Sequence, residues 1–404
     1  CRTPFARCLE CSSREACKGG VGLNMIPYST QDINEADIRA VQKVLRSPYL
    51  TQGPALERFE KALAKKAGTK FAIAFNSGTA ALHAAYFAAG VGKGDEVIVP
   101  ALTFAATANA ALYLGATPVF ADSDIQAGNM SVADARKKIT KKTKAIVPVD
   151  YGGRPADLRA FRALAKKHKL VFIEDAAQAL GASYRGKSIG AQADMTMFSF
   201  HPVKSITTGE GGAIVTNNPI FNTKLKLFRS HGISKDTKTF TRKEHGEWYQ
   251  EMQELGFNYR MPEMSAALGE SQLKRLDSFI AKRRAAAKRY QKLLAHVPNL
   301  ILPSAERTYE KSAWHLYPIR LAPNIAHRRD EIFAALRGAG IGVQVHHLPV
   351  YQHLFYEKLG YKKGICPNAE AFVASEISIP LFPSITQKQQ KYVADTLKHI
   401  LASI

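Results

Sequence analysis

Short apolar runs alternate with helix-like stretches through the first half of this 404-residue chain, and that rhythm restricts the fold more than any other feature. Runs at 71–75, 96–99, 118–121, 145–149, 171–174, 196–199 and 213–216 have the length and continuous apolarity of buried strands. Between them, residues 80–89, 105–114, 132–139 and 157–168 read as helices. Strands that alternate with helices build a mostly parallel sheet with helices on both faces. The expected architecture is therefore α/β, with seven strands in a large domain over 25–280. From Pro298 the pattern changes to α+β, with a strand at 316–321, a helix at 328–339, a strand at 341–345 and a last helix from Gln387. These make an expected smaller C-terminal domain over 281–404, to which the N-terminal part of the chain can contribute. One long periodic stretch at 262–296 connects the two, and its charged half around Lys282, Arg283 and Arg284 reads as a solvated face.

Ligands of open α/β sheets gather at the carboxyl ends of the strands. There the run at 171–174 ends in Glu174 and Asp175, and the run at 196–199 ends in Ser199, with Lys204 shortly after. The turn at 207–212 is rich in glycine, so backbone can approach a ligand closely. Asp175 can hold a protonated ring nitrogen, Lys204 can bond covalently to a carbonyl carbon, and Ser199 can donate to an anion. Pyridoxal phosphate requires this equipment. The same residues also read as a solvated lysine and a helix-capping acid, and spacing leaves both open. A second candidate is the turn from Asn76 through Ser77, Gly78 and Thr79 between a strand and a helix, an anion site in which free N–H groups face the ligand.

The balance of 56 Lys and Arg against 34 Asp and Glu gives a net charge of +22 and raises nucleic acid as a partner. The basic residues are scattered along helices, as at Lys141-Lys142, Lys166-Lys167 and Arg283-Arg284, without interleaved aromatics to stack on bases. A solvated basic surface that steers anionic substrates is the preferred reading. No apolar stretch reaches transmembrane length and nothing resembles a signal peptide, which places the protein in the cytoplasm. Four of the five cysteines, at 1, 8, 11 and 17, precede Met25 without a clear second zinc-binding pair. Residues 1–24 accordingly read as foreign to the fold, a fragment of upstream sequence. His346 and His347 are adjacent and read as the end of a strand, so they should point to opposite faces and not share a metal. No metal is expected.

The segments EDAAQALGASY, FSFHPVK, TTGEGGAIVTN, LTQGP and GFNYRM closely resemble the DegT/DnrJ/EryC1/StrS sugar aminotransferases, from Met25 to the C-terminus. That family is a branch of the fold-type I pyridoxal phosphate enzymes. The resemblance implies Lys204 as the lysine that bonds the cofactor and then moves protons, and Asp175 as partner of the ring nitrogen. It gives Gln178 to the phenolic oxygen, Phe104 to stacking on the ring, and Gly78, Thr79 and Ser199 to the phosphate. It further implies a homodimer in which Asn258 contacts the phosphate held by the neighbouring subunit. The loop at 50–54 with Gln52, and the segment holding His346, His347 and Tyr351, would border the sugar-nucleotide pocket, with His347 where the family has tyrosine. Within the family the motifs look most like enzymes that move an amino group from glutamate to C4 of a UDP-4-keto-6-deoxy-N-acetylhexosamine, in pseudaminic acid synthesis. Aminotransferases for other dTDP- or GDP-linked 3- or 4-ketosugars share the catalytic residues. A deoxysugar dehydratase on this fold carries histidine where Lys204 stands, which argues against it, and a nucleic-acid-binding regulator has only the charge in its favour.

Overall fold

In the computed structural model, which describes residues 25–242 and 246–403, seven strands form the central sheet. In chain order they are β1 (Phe71–Phe75), β2 (Glu96–Pro100), β3 (Thr117–Ala121), β4 (Thr143–Ile146), β5 (Val171–Asp175), β6 (Met195–Ser199) and β7 (Gly212–Thr216). Across the sheet they run β1-β7-β6-β5-β4-β2-β3. Only β7 is antiparallel to its neighbours, pairing Phe75 with Gly212 on one side and Ser199 with Gly212 on the other. The remaining pairs are parallel. Successive side chains enter opposite cores: Ala72, Ala74, Phe172 and Phe198 face one, and Ile73, Phe75, Ile173 and Met197 the other. Two buried faces explain why the strands read as continuous apolar runs.

The helices are α1 (Glu35–Leu45), α2 (Pro54–Ala67), α3 (Gly78–Ala88), α4 (Ala106–Tyr113), α5 (Val132–Lys137), α6 (Leu158–His168) and α7 (Pro219–Arg229). Then follow α8 (Glu263–Leu273), α9 (Leu276–Leu293), α10 (Arg329–Gly338), α11 (Leu354–Lys358), α12 (Pro367–Ser375) and α13 (Gln387–Ala402). The stretch at 262–296, expected as one helix, is two. At the junction Arg275 turns to pair with Asp32 at 2.8 Å and also with Asp37. The helix starts follow their caps: Asn34 and Asp37 form a reciprocal capping box on α1, and Thr386 with Gln389 does the same on α13. The N-terminus of α2 has no side chain of its own to cap it. Instead the buried Glu263 accepts from Ala55 N–H at 2.7 Å and Leu56 N–H at 2.9 Å.

A three-stranded antiparallel sheet of β8 (Leu300–Ile301), β9 (Tyr317–Leu321) and β10 (Glu376–Ile379) forms the second body with α10 and α13. Ile26 joins its core, and its N–H donates to the Gly340 carbonyl at 2.9 Å. The helix α9 belongs to both bodies: Leu276, Phe279 and Ile280 pack in the large core, and Ala286, Ala287 and Tyr290 in the small one. The strand expected at 341–345 is reduced to isolated bridges at Ile341 and Gln344. The segment at 234–251 is held to itself where described. Ser234 pairs with Glu251, whose carboxylate accepts from the Thr241 and Arg242 N–H groups at 3.0 Å. The four cysteines at 1, 8, 11 and 17 lie outside the described residues, and Cys366 is buried and unpaired.

Candidate active site

The ends of β5 and β6 and the start of α3 meet at one place, and glycines permit it. A Cβ on Gly212 would lie 2.6 Å from Gly78 Cα, and one on Gly78 would lie 3.3 Å from Ser199 Oγ. Ser77 caps α3 by accepting from Ala80 N–H at 3.1 Å. The N–H groups of Gly78 and Thr79 lie ahead of the first intrahelical bond and remain for a ligand, with the Ser199 hydroxyl over them. This cradle suits an oxyanion.

Asp175 lies at the end of β5 and is almost fully buried. Its Oδ2 accepts from Thr107 Oγ1 at 2.7 Å and its Oδ1 from Ala177 N–H at 3.1 Å. Thr107 is itself held, through its hydroxyl to Thr103 at 2.8 Å and its carbonyl to the Tyr86 hydroxyl at 2.8 Å. Burial raises the Asp175 pKa, while Thr107, the Ala177 N–H and Lys204 work the other way. The geometry presents a carboxylate aimed and desolvated, suited to a cationic N–H. Gln178 is turned by Gly152, whose N–H donates to Gln178 Oε1 at 2.7 Å, so the amide nitrogen is the end left to donate.

Lys204 follows β6 in a loop that folds back on itself. Phe200 N–H donates to Gly211 O at 2.9 Å, Thr208 N–H to Phe200 O at 3.0 Å, and Lys204 N–H to His201 O at 2.9 Å. The side chain is sunk deep enough that desolvation pulls its pKa down to about 8, against the pull of Asp175. Asp175 and Lys204 lie close enough to act on each other's charge and Ser199 lies against the α3 cradle, and with Gln178 the chemistry of these groups fits pyridoxal phosphate. An acid stands for the ring nitrogen, an amide for the phenolic oxygen, a free-amide cradle for the phosphate and a desolvated amine for the aldehyde carbon.

Other expected site residues stand differently. Phe104, which composition alone would bury, is 63% exposed, with its ring edge-on to His347 at 5.9 Å between centroids, free to cover a flat ligand. The rings of His346 and His347 meet at 4.8 Å and do not face apart, because strand alternation does not extend into this segment. His346 is buried, its Nδ1 2.9 Å from Ser378 Oγ, and its carbonyl accepts from the Tyr151 hydroxyl at 2.6 Å. Burial holds both rings neutral, at about 3 for His346 and about 4 for His347. Among the described residues no group of three His, Cys, Asp or Glu side chains gathers as a metal site. Tyr351 corrects the expected substrate contact. It is fully buried against Phe120 with its hydroxyl on Glu370, and offers no surface to a ligand. Gln52 is exposed in a left-handed turn of the loop tied to α8 by the Glu263 N–H on Leu50 O. Asn258 is exposed at the rim, bridged by its backbone to Ser230, while Tyr259 O accepts from Asn76 N–H at 2.9 Å.

Sequence reasoning missed Thr107, which sits in an alanine-rich helix without a motif, and Arg283, which was read as solvated but is 1% exposed. It also missed the buried pair beneath the site. Asp150 and Glu174 are both fully buried, and Asp150 Oδ2 and Glu174 Oε1 find no donor elsewhere. Burial raises both carboxyls, and at Asp150 the neighbouring Glu174 adds to the rise.

A seven-stranded sheet of this order, with a lysine after β6 facing an acid at the end of β5, defines a fold-type I pyridoxal phosphate-dependent aminotransferase. The chain belongs to the DegT/DnrJ/EryC1/StrS aminotransferase family, whose model matches residues 31–398. It is 42% identical over 384 residues to the UDP-4-amino-4,6-dideoxy-N-acetyl-beta-L-altrosamine transaminase of Campylobacter jejuni, covering 94% of this chain and 98% of that one. It is 39% identical to the spore coat polysaccharide biosynthesis protein SpsC of Bacillus subtilis, covering 94% and 97%. Among solved structures, Helicobacter pylori PseC, an aminotransferase of pseudaminic acid biosynthesis, superposes with a TM-score of 0.87 at 35% identity, covering 94% and 100%. The putative sugar aminotransferase Spr1654 of Streptococcus pneumoniae in its PMP form superposes at 0.88 with 32% identity, covering 94% and 99%.

Proposed function

We propose that this aminotransferase moves an amino group from glutamate to C4 of a UDP-4-keto-6-deoxy-N-acetylhexosamine, in the manner of pseudaminic acid synthesis in the cytoplasm. The observation that carries the reading is the closeness of Lys204 to the buried Asp175 at the strand ends, beside the α3 cradle that Ser199 packs against. The names of the Campylobacter and Helicobacter relatives supply the sugar. Among the described residues no helix is long and apolar enough to cross a membrane.

Bound pyridoxal phosphate would supply an electron sink and carry the amino group between donor and acceptor. The chain's own groups do the rest. Asp175 holds a proton on the ring nitrogen, and Thr107 with the Ala177 N–H keeps its carboxylate aimed. Gln178 donates its amide to the phenolic oxygen. The N–H groups of Gly78 and Thr79 with Ser199 Oγ bind phosphate, and Asn258 of a neighbouring subunit completes that set. Phe104 covers the ring and keeps water from it. Lys204 Nζ would anchor the cofactor and, as a neutral amine, would be the group that moves protons to and from the reacting carbon. His346, His347 and the loop with Gln52 border the sugar.

Two measurements test this. Borohydride reduction and peptide mapping should tag Lys204, and Lys204→Ala should lose the tag and activity by at least about a thousandfold. A panel of 3-keto and 4-keto nucleotide sugars with glutamate, read by mass and NMR, should yield amine at C4 of the UDP-sugar. Amination of only a 3-keto or dTDP-linked sugar sinks the substrate and leaves the enzyme class.

A further inference from the structure

The reading above, on which this inference rests, asks Lys204 to be an uncharged amine when it moves protons. Asp175 opposes that, since a neighbouring anion favours the ammonium. Arg283 works against it. It lies midway along α9, between the residues that enter the large core and those that enter the small one, and is 1% exposed. Its Nη1 donates to Leu381 O at 2.8 Å, and at longer range to His315 O at 3.3 Å and Trp314 O at 3.4 Å. Its Nη2 reaches Val203 O, the carbonyl preceding Lys204, at 3.4 Å, and its Nε is without a partner. All these acceptors are neutral, and among the described residues the guanidinium pairs with no carboxylate. A buried arginine normally takes a counter-ion. Carbonyls orient on the charge without cancelling it, so its field persists in the low-dielectric surroundings.

Six titratable groups lie around Lys204: Asp175 from β5, Arg283 from α9, His315 ahead of β9, His346 and His347 from the segment before α11, and Asp32 ahead of α1, which lines the same small cavity and is paired with Arg275 at 2.8 Å. Burial holds all three imidazoles neutral; His315 lies well below its usual range. Burial also lowers Arg283, to about 10, which leaves it charged at neutral pH. Asp32 is engaged by Arg275, which leaves Asp175 and Arg283 as the charges around Lys204 that are not tied into an ion pair.

We propose that Arg283 is a positioning residue of the transamination: its unpaired guanidinium offsets Asp175 at Lys204 and keeps the released side chain a neutral amine. Asp175 can then stay ionised for the ring nitrogen without trapping Lys204 as an ammonium. The lowered Lys204 pKa, caused first by burial and opposed by Asp175, includes a downward push from Arg283. A bridge that only held the two bodies together would need the hydrogen bonds and not the charge.

The test uses the full chain without cofactor, so that the readout is the amine itself. Lys204 is labelled competitively with acetic anhydride between pH 6 and 11, and its peptide is quantified by mass. The wild-type midpoint is expected near 8. Arg283→Met should raise it by about one unit, a tenfold loss of free amine at fixed pH. Arg283→Lys keeps the charge but loses the fork and should stay near wild type. With cofactor, the acid limb of the kcat–pH profile should follow the same shifts. An unchanged midpoint in folded Arg283→Met overturns the proposal, and so does an equal rise in both variants, which would mark a structural role. If Arg283→Met does not fold, Arg283→Gln takes its place, with the same readings: a rise in Gln but not Lys supports the charge, and equal midpoints refute it. The borohydride tag separates this from the reading beneath it. A tag elsewhere than Lys204 fails the site assignment, whereas a tag on Lys204 with an unmoved midpoint fails only the role of Arg283.

Discussion

At the scale of single residues, Asp175 depends on what aims it. Thr107 gives it a hydroxyl at 2.7 Å, and that bond offsets part of the burial that raises the carboxyl's pKa. Thr107→Val keeps the shape and removes the donor. The Asp175 pKa should rise further, so the carboxylate form required at the ring nitrogen is lost at a higher pH. The acid limb of the kcat–pH profile, set by Lys204, is expected to steepen at its foot as Asp175 becomes protonated, with the plateau little changed. Steady-state rates across pH check this; a profile that only falls in height would assign Thr107 to packing. Lys204 and Asp175 were legible because strand ends followed by a turn concentrate chemistry. Thr107 and Arg283 were not, because their meaning lies in partners 68 and 80 residues away.

At the scale of elements, the strands were readable from their continuous apolar runs, since both faces of the sheet are covered. The helices were readable too, except where tertiary partners intervened. The α8–α9 break follows Arg275 toward Asp32 and Asp37, which local periodicity cannot announce. The same holds for α1, whose Ile38 and Leu45 stand 42% and 59% exposed where periodicity would bury them. Glu263 is the element-scale counterpart of Thr107. It caps α2 from across the fold, and it begins α8 directly after the loop that carries Asn258. Glu263→Ala leaves the buried N–H groups of Ala55 and Leu56 unpaired, at a cost of about 1–3 kcal/mol. The urea midpoint should fall accordingly, and cofactor affinity should weaken as the start of α2, which directly follows the loop at 50–53, loosens. Equilibrium urea unfolding and absorbance titration with pyridoxal phosphate measure the two effects; a lower midpoint with unchanged affinity would separate the cap from the site.

For the whole molecule, the exposed apolar residues are informative. Ile33, Ile38, Leu45, Tyr49 and Leu50 lie outward on and around α1, and Leu255 and Phe257 in the loop that bears Asn258. Such side chains ordinarily mark a contact surface, which suits a dimer with active sites completed across the interface. Mixing inactive Lys204→Ala with Asn258→Ala protein should then restore activity, up to about a quarter of the wild-type level, through one intact hybrid site per mixed dimer. Gel filtration and rate assays of the mixture check this, and a fully active monomer would contradict it. The course of α9 has a further meaning. An 18-residue helix about 27 Å long, seated in both cores, behaves as a beam between the lobes and not as a hinge. Any rotation of one lobe against the other would have to bend this helix or strip its contacts from one of the two cores.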